Sequence, residues 1–228
     1  MATTALVDTL DEQHLLERLL EEGKPAVPPA ARRLHWLLFT PFRYPPPRGG
    51  SRFRGPADPG VFYGADDIRT ACAELGYWRW RHLQDTPALA AMPTKPQTLF
   101  RSRIATSCVD LRKPPFSRDR AAWIRPDDYA DCQHFARIAR EADVGAIRYE
   151  SVRDPRAGTC SAVLSPAAFA RPVPLEQQTW MLSVSRDRVV WQRTGVLHDA
   201  EFEFAAAAWQ AAAVPTRGPA PRARRKRP

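Results

Sequence analysis

The stretch that decides the fold covers residues 51–74 and reads SRFRGPADPGVFYGADDIRTACAE. It predicts a strand over Ser51–Arg54, a turn rich in proline and glycine, a short strand over Gly60–Gly64, and then a helix. We expect the helix to begin at Asp66, with Asp66 or Asp67 as its cap, because an aspartate accepts hydrogen bonds from the free amides of a first turn. The stretch therefore predicts a corner where two strands meet a helix start.

Three side chains with distinct chemistry follow one another along this corner, since Arg52, Tyr63 and Glu74 stand eleven positions apart. A guanidinium binds phosphate oxygens through paired N–H donors, and a phenol stacks on or hydrogen-bonds a ring. A carboxylate stabilises a developing positive charge. Arg54 adds another guanidinium to the same basic loop, which favours an anionic ligand. The corner is suited to hold a diphosphate, contact a ring and stabilise a cation.

These motifs resemble those of the RES domain, a family named for its arginine, glutamate and serine. The family's Gly-Arg-aromatic opening corresponds to Ser51-Arg52-Phe53, and its Tyr-Ala or Tyr-Gly pair corresponds to Tyr63-Gly64. Its Ala-x-x-Glu helix motif corresponds to residues 71–74. The family serine would be Ser151, in the run AIRYESVR of residues 146–153. The shared order and spacing are more specific than any one of these motifs.

The resemblance extends from about Phe39 to Val196 and departs from the family pattern at two positions. Ser51 stands where glycine is common, and Arg54 stands where a small or polar residue is usual. Both departures lie beside Arg52, so we expect the contacts on the phosphate side of the site to be rearranged.

The resemblance implies an ADP-ribosyltransferase-like core of short, twisted strands and a bacterial toxin that consumes NAD+. It implies that NAD+ is the substrate, that nicotinamide is released by hydrolysis or phosphorolysis, and that no metal takes part. It also implies a partner, a cognate helix-turn-helix (Xre-type) antitoxin that covers the active site, and it allows a homo-oligomer. Transfer of ADP-ribose to a protein target is an alternative outcome that the sequence leaves open.

Each candidate residue has a role in this chemistry. Glu74 would stabilise the oxocarbenium-like cation, Arg52 would bind the diphosphate, and Tyr63 would contact the nicotinamide half. Ser151 would orient the ligand or Glu74, because a serine without a nearby base is too weakly acidic to attack alone. Arg54 would add to the phosphate contacts. Taken singly, these residues also fit a solvated glutamate, a core tyrosine and a turn-capping serine.

The charge of the chain is unevenly distributed. The 228 residues carry a net charge of +9, but the last twelve residues contain six basic residues and no acidic ones, which leaves 9 − 6 = +3 for the rest. These basic residues are Arg217, Arg222, Arg224, Arg225, Lys226 and Arg227. We expect a helical extension over residues 1–39, a catalytic domain over 40–213 and a disordered basic tail over 214–228. The rival interpretation from another class is a basic module that binds nucleic acid.

The remaining elements indicate an α+β fold, because short strands alternate with irregularly spaced helices. The extension contributes helices over Thr3–Glu22 and Ala30–Phe39, and packing of their apolar stripes on the core is favoured over contact with a second copy or with the antitoxin. Residues 201–213 fit either a strand followed by a helix or one alanine-rich helix. The other predicted elements are a helix at Asp66–Leu83, a strand at Thr98–Leu111, a helix at Asp127–Ala142, strands at Val144–Tyr149 and Cys160–Leu164, and a hairpin of Thr179–Ser185 with Arg188–Arg193.

Several other classes of protein are disfavoured. The four cysteines show neither CxxC nor Cys/His spacing, so no zinc site is predicted, and Cys72 and Cys132 are expected to be buried free thiols. No G-x-S-x-G or G-x-G-x-x-G motif occurs. No apolar run approaches the ~18 residues that a membrane helix needs, and no signal peptide is recognised. We therefore expect a cytoplasmic protein.

Overall fold

Two four-stranded sheets and a long helix that contacts both of them organise the chain. The computed structural model describes residues 7–46, 48–193 and 199–212. In chain order the main elements are α1 (Leu10–Glu22), α2 (Trp36–Arg43), β1 (Phe62–Ala65), α3 (Ile68–Gln84), β2 (Ala91–Arg101), β3 (Cys108–Asp110), α4 (Arg120–Trp123), α5 (Ala130–Glu141), β4 (Ala146–Glu150), β5 (Thr159–Val163), β6 (Glu176–Ser185), β7 (Arg188–Arg193), β8 (Ala200–Ala205) and α6 (Ala206–Ala212).

The first sheet has the strand order β1-β5-β4-β3, and the second has the order β2-β6-β7-β8. Neighbouring strands are antiparallel except β3 and β4, which are parallel. Helix α5 packs on the first sheet, and α3 contacts strands of both sheets. The α+β class is confirmed, whereas its likeness to an ADP-ribosyltransferase stays a prediction.

Helix α3 is amphipathic in the way the sequence predicts. Asp67 is its N-cap, since its carboxylate accepts the amide of Thr70 at 2.9 Å. Tyr77 and Trp80 are buried in the core that α3 forms with the second sheet. Their neighbours Trp78, Arg79 and Arg81 are exposed, as expected from helical spacing.

The other predicted elements of the second half are largely confirmed. Helix α5 and strands β4 and β5 lie within a few residues of their predicted bounds. The hairpin of β6 and β7 forms, and residues 201–213 begin as strand β8 and continue as helix α6. Cys72 and Cys132 are buried free thiols, which is also confirmed.

The predicted strand Ser51–Arg54 is wrong, because these residues form a tight turn. The amide of Ser51 donates to the carbonyl of Arg54 at 2.7 Å, and the amide of Arg54 donates back at 3.1 Å. Gly50 precedes this turn with a φ of +79°, and a Cβ at this position would lie only 2.0 Å from the Arg54 carbonyl oxygen. The chain therefore folds back on itself before a strand can extend.

The single strand predicted over Thr98–Leu111 is also wrong. Strand β2 ends at Arg101 in the second sheet, and β3 begins at Cys108 in the first sheet. The linker between them keeps an apolar residue, Ile104, that bridges to Phe169 and packs against a separate core cluster. That residue prolongs the apolar alternation across a point where the chain changes sheets.

The N-terminal helices differ from their predicted bounds. Helix α1 begins at Leu10, where Thr9 and Glu12 form a capping box, and residues 1–6 lie outside the described residues. The second helix is not Ala30–Phe39. It begins at Trp36, where the His35 ring accepts the amide of Leu37 at 3.2 Å, and it continues through Pro41.

The apolar stripe of α1 does not pack on the core, contrary to the favoured expectation. Four of its leucines are 48–73% exposed: Leu10, Leu15, Leu19 and Leu20. Contact with a second copy or an antitoxin stays a prediction, as do the domain bounds. The basic tail, residues 214–228, lies outside the described residues. No helix among residues 7–46, 48–193 and 199–212 is long and apolar enough to cross a membrane.

Candidate active site

One side of α3 is attached to the loop that follows β4, residues 151–158. Thr70, Glu74 and Tyr77 lie on this side, because residues three or four positions apart share a helix face. Each of the three contacts a different residue of the loop, and their respective partners are Asp154, Ser151 and Arg153. The helix and the loop are therefore joined at successive turns, with Glu74 in the middle.

The first attachment centres on the buried carboxylate of Asp154. The Thr70 hydroxyl donates to it at 2.8 Å, and the Arg69 guanidinium forms an ion pair with it. Burial opposes its charge, but hydrogen bonds from the Arg156 amide, Thr70 and Arg69 hold the pKa of Asp154 below its usual value. Gly158 permits this close approach, since a Cβ there would lie 2.0 Å from the Thr70 hydroxyl oxygen.

The middle attachment is the hydrogen bond between Ser151 and Glu74. The Ser151 Oγ donates to Glu74 Oε1 at 2.6 Å and accepts the amides of Arg153 at 3.2 Å and Asp154 at 2.9 Å. Ser151 is 2% exposed, so the protein rather than solvent determines the direction of its hydroxyl. Ser151 thus holds the Glu74 carboxylate in one orientation.

The third attachment uses Arg153, a residue that no local motif marks. Its guanidinium lies 3.7 Å from the centroid of the Tyr77 ring, and its Nη2 donates to the Pro126 carbonyl at 2.5 Å. The Trp209 indole donates to the Arg153 carbonyl at 2.7 Å. These partners come from three distant segments, so sequence reasoning missed Arg153 as part of the site.

Uncharged groups of the first sheet lie beside Glu74. Tyr149 on β4 and Cys160 on β5 are paired across the sheet, and the Cys160 thiol lies 3.8 Å from Glu74 Oε1. Burial, followed by the nearby Glu74 charge, raises the pKa of Cys160, so the thiol stays neutral. The carboxylate therefore lies against neutral sulfur and phenol groups rather than against a second anion.

Tyr149 also marks the point around which the sequence motifs converge. Burial raises the pKa of this phenol well above its usual value, and the charges that act on it include Cys160, Glu74, Tyr63 and Arg52. Three of the predicted site residues are therefore electrostatic neighbours of one buried tyrosine. Tyr149 lies two positions before Ser151 on the strand and carries no sequence signal for this role.

Arg52 lies within the protein rather than in open solvent. It is 8% exposed, and its Nη1 donates to the carbonyls of Trp123 at 2.8 Å and Arg125 at 2.9 Å. Its guanidinium carbon lies 4.8 Å from the centroid of the Tyr129 ring. At 8% exposure, little of the Arg52 side chain is open to the diphosphate that the sequence assigns to it.

Tyr63 and Arg54 are likewise bound to the corner itself. The Tyr63 hydroxyl lies 2.8 Å from Ser51 Oγ and accepts the amide of Phe53 at 2.9 Å, and burial raises its pKa to about 12. Arg54 Nη2 donates to the Tyr44 carbonyl at 2.9 Å. The serine found where the family favours glycine therefore adds a bond between the turn and β1.

A cavity of about 880 Å³ lies between the two sheets, along the other side of α3. Tyr63 lines it, and so do Ala71 and Leu75, which flank Glu74 on the helix. Glu74 adjoins these two residues along the helix but is not itself part of the cavity wall in the described ranges. Further residues of its wall are Phe62, Phe100, Arg101, Arg148, Ser161 and Trp191. The volume is sufficient for a dinucleotide, since ligand sites span roughly 300–1,000 Å³.

Metal ligands are not clustered in this region. Within the part of the chain that the structure describes, no group of three or more histidine, cysteine, aspartate or glutamate side chains could hold a metal ion.

Comparison with known proteins agrees with the order of the motifs. Residues 27–185 match the family model described as RES domain, which covers well over half of the chain. A search of the curated proteins finds no match. The matched range contains the corner, the Glu74 helix and the Ser151 loop.

Proposed function

Because the chain belongs to the RES domain family, we propose that it is a toxin enzyme that cleaves the bond between nicotinamide and ribose in NAD+. The family is associated with toxin–antitoxin systems and with NAD+-related enzymatic toxins. The observation that carries the proposal is the Glu74 carboxylate, which Ser151 orients at 2.6 Å on the helix that borders a cavity large enough for a dinucleotide.

The reaction requires little acid catalysis. When the bond between the ribose carbon and the pyridinium nitrogen breaks, the electron pair leaves with nicotinamide, which becomes neutral. The positive charge moves to the ribose as an oxocarbenium-like cation. A carboxylate fixed beside this cation lowers the barrier, because its charge is opposite and needs no reorganisation during the reaction.

The contacts around Glu74 suit this role. The Ser151 hydroxyl binds one carboxylate oxygen, and the neutral Cys160 thiol lies near the same oxygen. Among the described residues, hydrogen bonds reach only Oε1, so the proposal assigns Oε2 to a ribose hydroxyl or to the cation. Attachment at Thr70 and Tyr77, on either side along the helix, limits the movement of the carboxylate.

The acceptor determines the product. Water that attacks the ribose cation gives ADP-ribose and releases one proton, whereas inorganic phosphate gives the ADP-ribose phosphate ester. A nucleophilic side chain of another protein would give an ADP-ribosylated target. Free ADP-ribose or its phosphate ester is the product we propose, within an ADP-ribosyltransferase-like fold.

A partner protein belongs to the same proposal. A cognate helix-turn-helix antitoxin would neutralise the enzyme by covering the cavity and Glu74. Nucleic acid would be contacted only through the antitoxin. The place of action would be the bacterial cytoplasm, where NAD+ is abundant.

The test is incubation of the purified chain with NAD+, with and without phosphate, followed by chromatographic identification of the products. We expect stoichiometric release of nicotinamide, with ADP-ribose or its phosphate ester as the other product. Glu74→Gln should remove the activity, and Glu141→Gln, at the end of α5, is the matched control. Intact NAD+ after incubation with the folded protein would reject the proposal. If NAD+ labelled in its ADP-ribose portion is used, label retained on protein would indicate transfer to a protein target.

A further inference from the structure

The cavity between the sheets contains an arginine that the sequence motifs do not mark. Arg148 lies on β4, where it is paired with Ser161 on β5, and Ser161 is paired in turn with Gly64 on β1. All three residues line the cavity. Arg148 therefore brings a positive charge to the cavity wall from a strand rather than from a loop.

The guanidinium of Arg148 is only partly satisfied. Its Nη2 donates to Asp66 at the mouth of the cavity, and the two side chains are 39% and 49% exposed. Its Nε is buried and has no hydrogen-bond partner among residues 7–46, 48–193 and 199–212. Since Nε and Nη2 form one edge of the planar fork, Asp66 uses half of a bidentate site.

A second arginine contact on the same strand shows a guanidinium edge with both of its donors hydrogen-bonded. Arg120 binds Glu150 with both donors of this edge, with Nε at 2.9 Å and Nη2 at 2.5 Å. Glu150 lies two residues after Arg148, at the end of the same strand. By contrast, the same edge of Arg148 has one acceptor oxygen for its two donors among the described residues.

Other groups of the wall agree with an acceptor-bearing ligand that contains rings. Trp191 also lines the cavity, and its indole N–H is buried without a partner in the described ranges. Phe62 and Phe100 line the cavity with their ring centroids 6.0 Å apart. Buried donors without partners cost free energy, so a ligand that supplies acceptors gains from them.

We infer that Arg148, rather than Arg52, is the residue that binds the phosphate groups of a nucleoside diphosphate in this cavity, and that Asp66 competes with those phosphates. A phosphate that replaces Asp66 accepts hydrogen bonds from both Nε and Nη2, which a single Asp66 oxygen does not. The inference deepens the proposed function and takes from it the expectation that the ligand is the ADP portion of NAD+.

The test measures the binding of ADP, adenosine and inorganic pyrophosphate to the full chain by calorimetry, so that no cleavage is needed. Arg148→Met should weaken ADP binding about tenfold or more and leave adenosine binding unchanged, since only the phosphate contacts are lost. Asp66→Asn should strengthen ADP binding several-fold, because the competing charge is removed. Arg120→Met breaks the bidentate ion pair on the same strand and should not change ADP binding.

Opposite changes in ADP affinity for Arg148→Met and Asp66→Asn distinguish a phosphate site from a structural ion pair. If the pair served stability alone, Arg148→Met and Asp66→Asn would act in the same direction, and that result overturns the inference. ADP binding that is absent, or insensitive to Arg148→Met, overturns it as well. Arg148→Lys, which keeps the charge but lacks the Nε donor, should bind ADP with intermediate affinity if Arg148→Met does not fold. ADP binding without NAD+ cleavage would reject the proposed activity and retain the site.

Discussion

The two sides of α3 differ in how completely their polar groups are bound. On one side, the polar groups of Thr70, Glu74 and loop residues Ser151 and Asp154 are joined by hydrogen bonds of 2.6–2.9 Å. On the other side lies a cavity of about 880 Å³ that Arg148 lines, and the Nε of this arginine has no partner in the part of the chain that the structure describes. The bound side fixes the orientation of a carboxylate, and the open side has space for a ligand. Substitutions on each side should therefore have different effects.

The largest effect is expected from the buried carboxylate that joins α3 to its loop. Asp154→Ala should lower the free energy of unfolding by about 3 kcal/mol, because it leaves the Arg69 charge and the Thr70 hydroxyl without their partner. Urea denaturation measures this. Asp85→Ala removes an exposed i, i+4 partner of Arg81 and should cost less than about 1 kcal/mol. Equal losses of unfolding free energy in the two variants would show that the buried Asp154 contributes no more to stability than an exposed ion pair.

The next largest effect should come from the close approach of the loop to the helix. Gly158→Ala places a Cβ 2.0 Å from the Thr70 hydroxyl oxygen and should cost about 2 kcal/mol through overpacking. Gly23→Ala is the control, since its nearest neighbour would be at 3.6 Å. Combining Gly158→Ala with Thr70→Ala should cost less than the sum of the single changes, and an additive double-mutant cycle would exclude the clash.

A smaller effect on rate is expected at Ser151. Ser151→Ala removes the bond that orients Glu74 but leaves the carboxylate in place, so kcat should fall about tenfold, less than on loss of the carboxylate charge. Steady-state release of nicotinamide measures this, with thermal unfolding as the check on folding. A loss as large as that of Glu74→Gln would show that the serine does more than orient.

The smallest effect is the pH dependence of stability that Asp154 contributes. Its pKa is lowered in the folded protein, so its contribution is fully present above the unfolded pKa of about 3.9 and is lost as the pH falls through the lower folded value. The difference in unfolding free energy between the native chain and Asp154→Asn should be constant from about pH 7 to 5 and shrink below about pH 4. A difference that grows on acidification would contradict the lowered pKa.

Sequence reasoning was sufficient where the determinants are local. The helix cap at Asp67 and the buried face of α3 follow from spacing, and the expected contact between Ser151 and Glu74 follows from the family motifs. The turn at residues 51–54 was misread as a strand, because its geometry depends on the positive φ of Gly50 and on pairing between its own ends. The apolar alternation across Ile104 concealed a change of sheet.

Non-local contacts explain the rest of the difference at the site. Arg52 is bound by carbonyls of residues 123 and 125, more than 70 positions away, which no spacing in the corner predicts. The surroundings of Arg153 and Tyr149 are formed by segments that are distant in sequence. Arg148 carries no motif, and only the structure shows that its Nε has no partner among the described residues.

The bound side of α3 should provide the chemistry of NAD+ cleavage, and the open side should provide the affinity for NAD+. The most direct test is steady-state kinetics of NAD+ cleavage by Glu74→Gln and Arg148→Met, with circular dichroism to confirm folding. Glu74→Gln should lower kcat by about a hundredfold or more with little change in KM, and Arg148→Met should raise KM about tenfold with kcat nearly unchanged. Near-native turnover in Glu74→Gln, or a loss in Arg148→Met confined to kcat, would contradict the account.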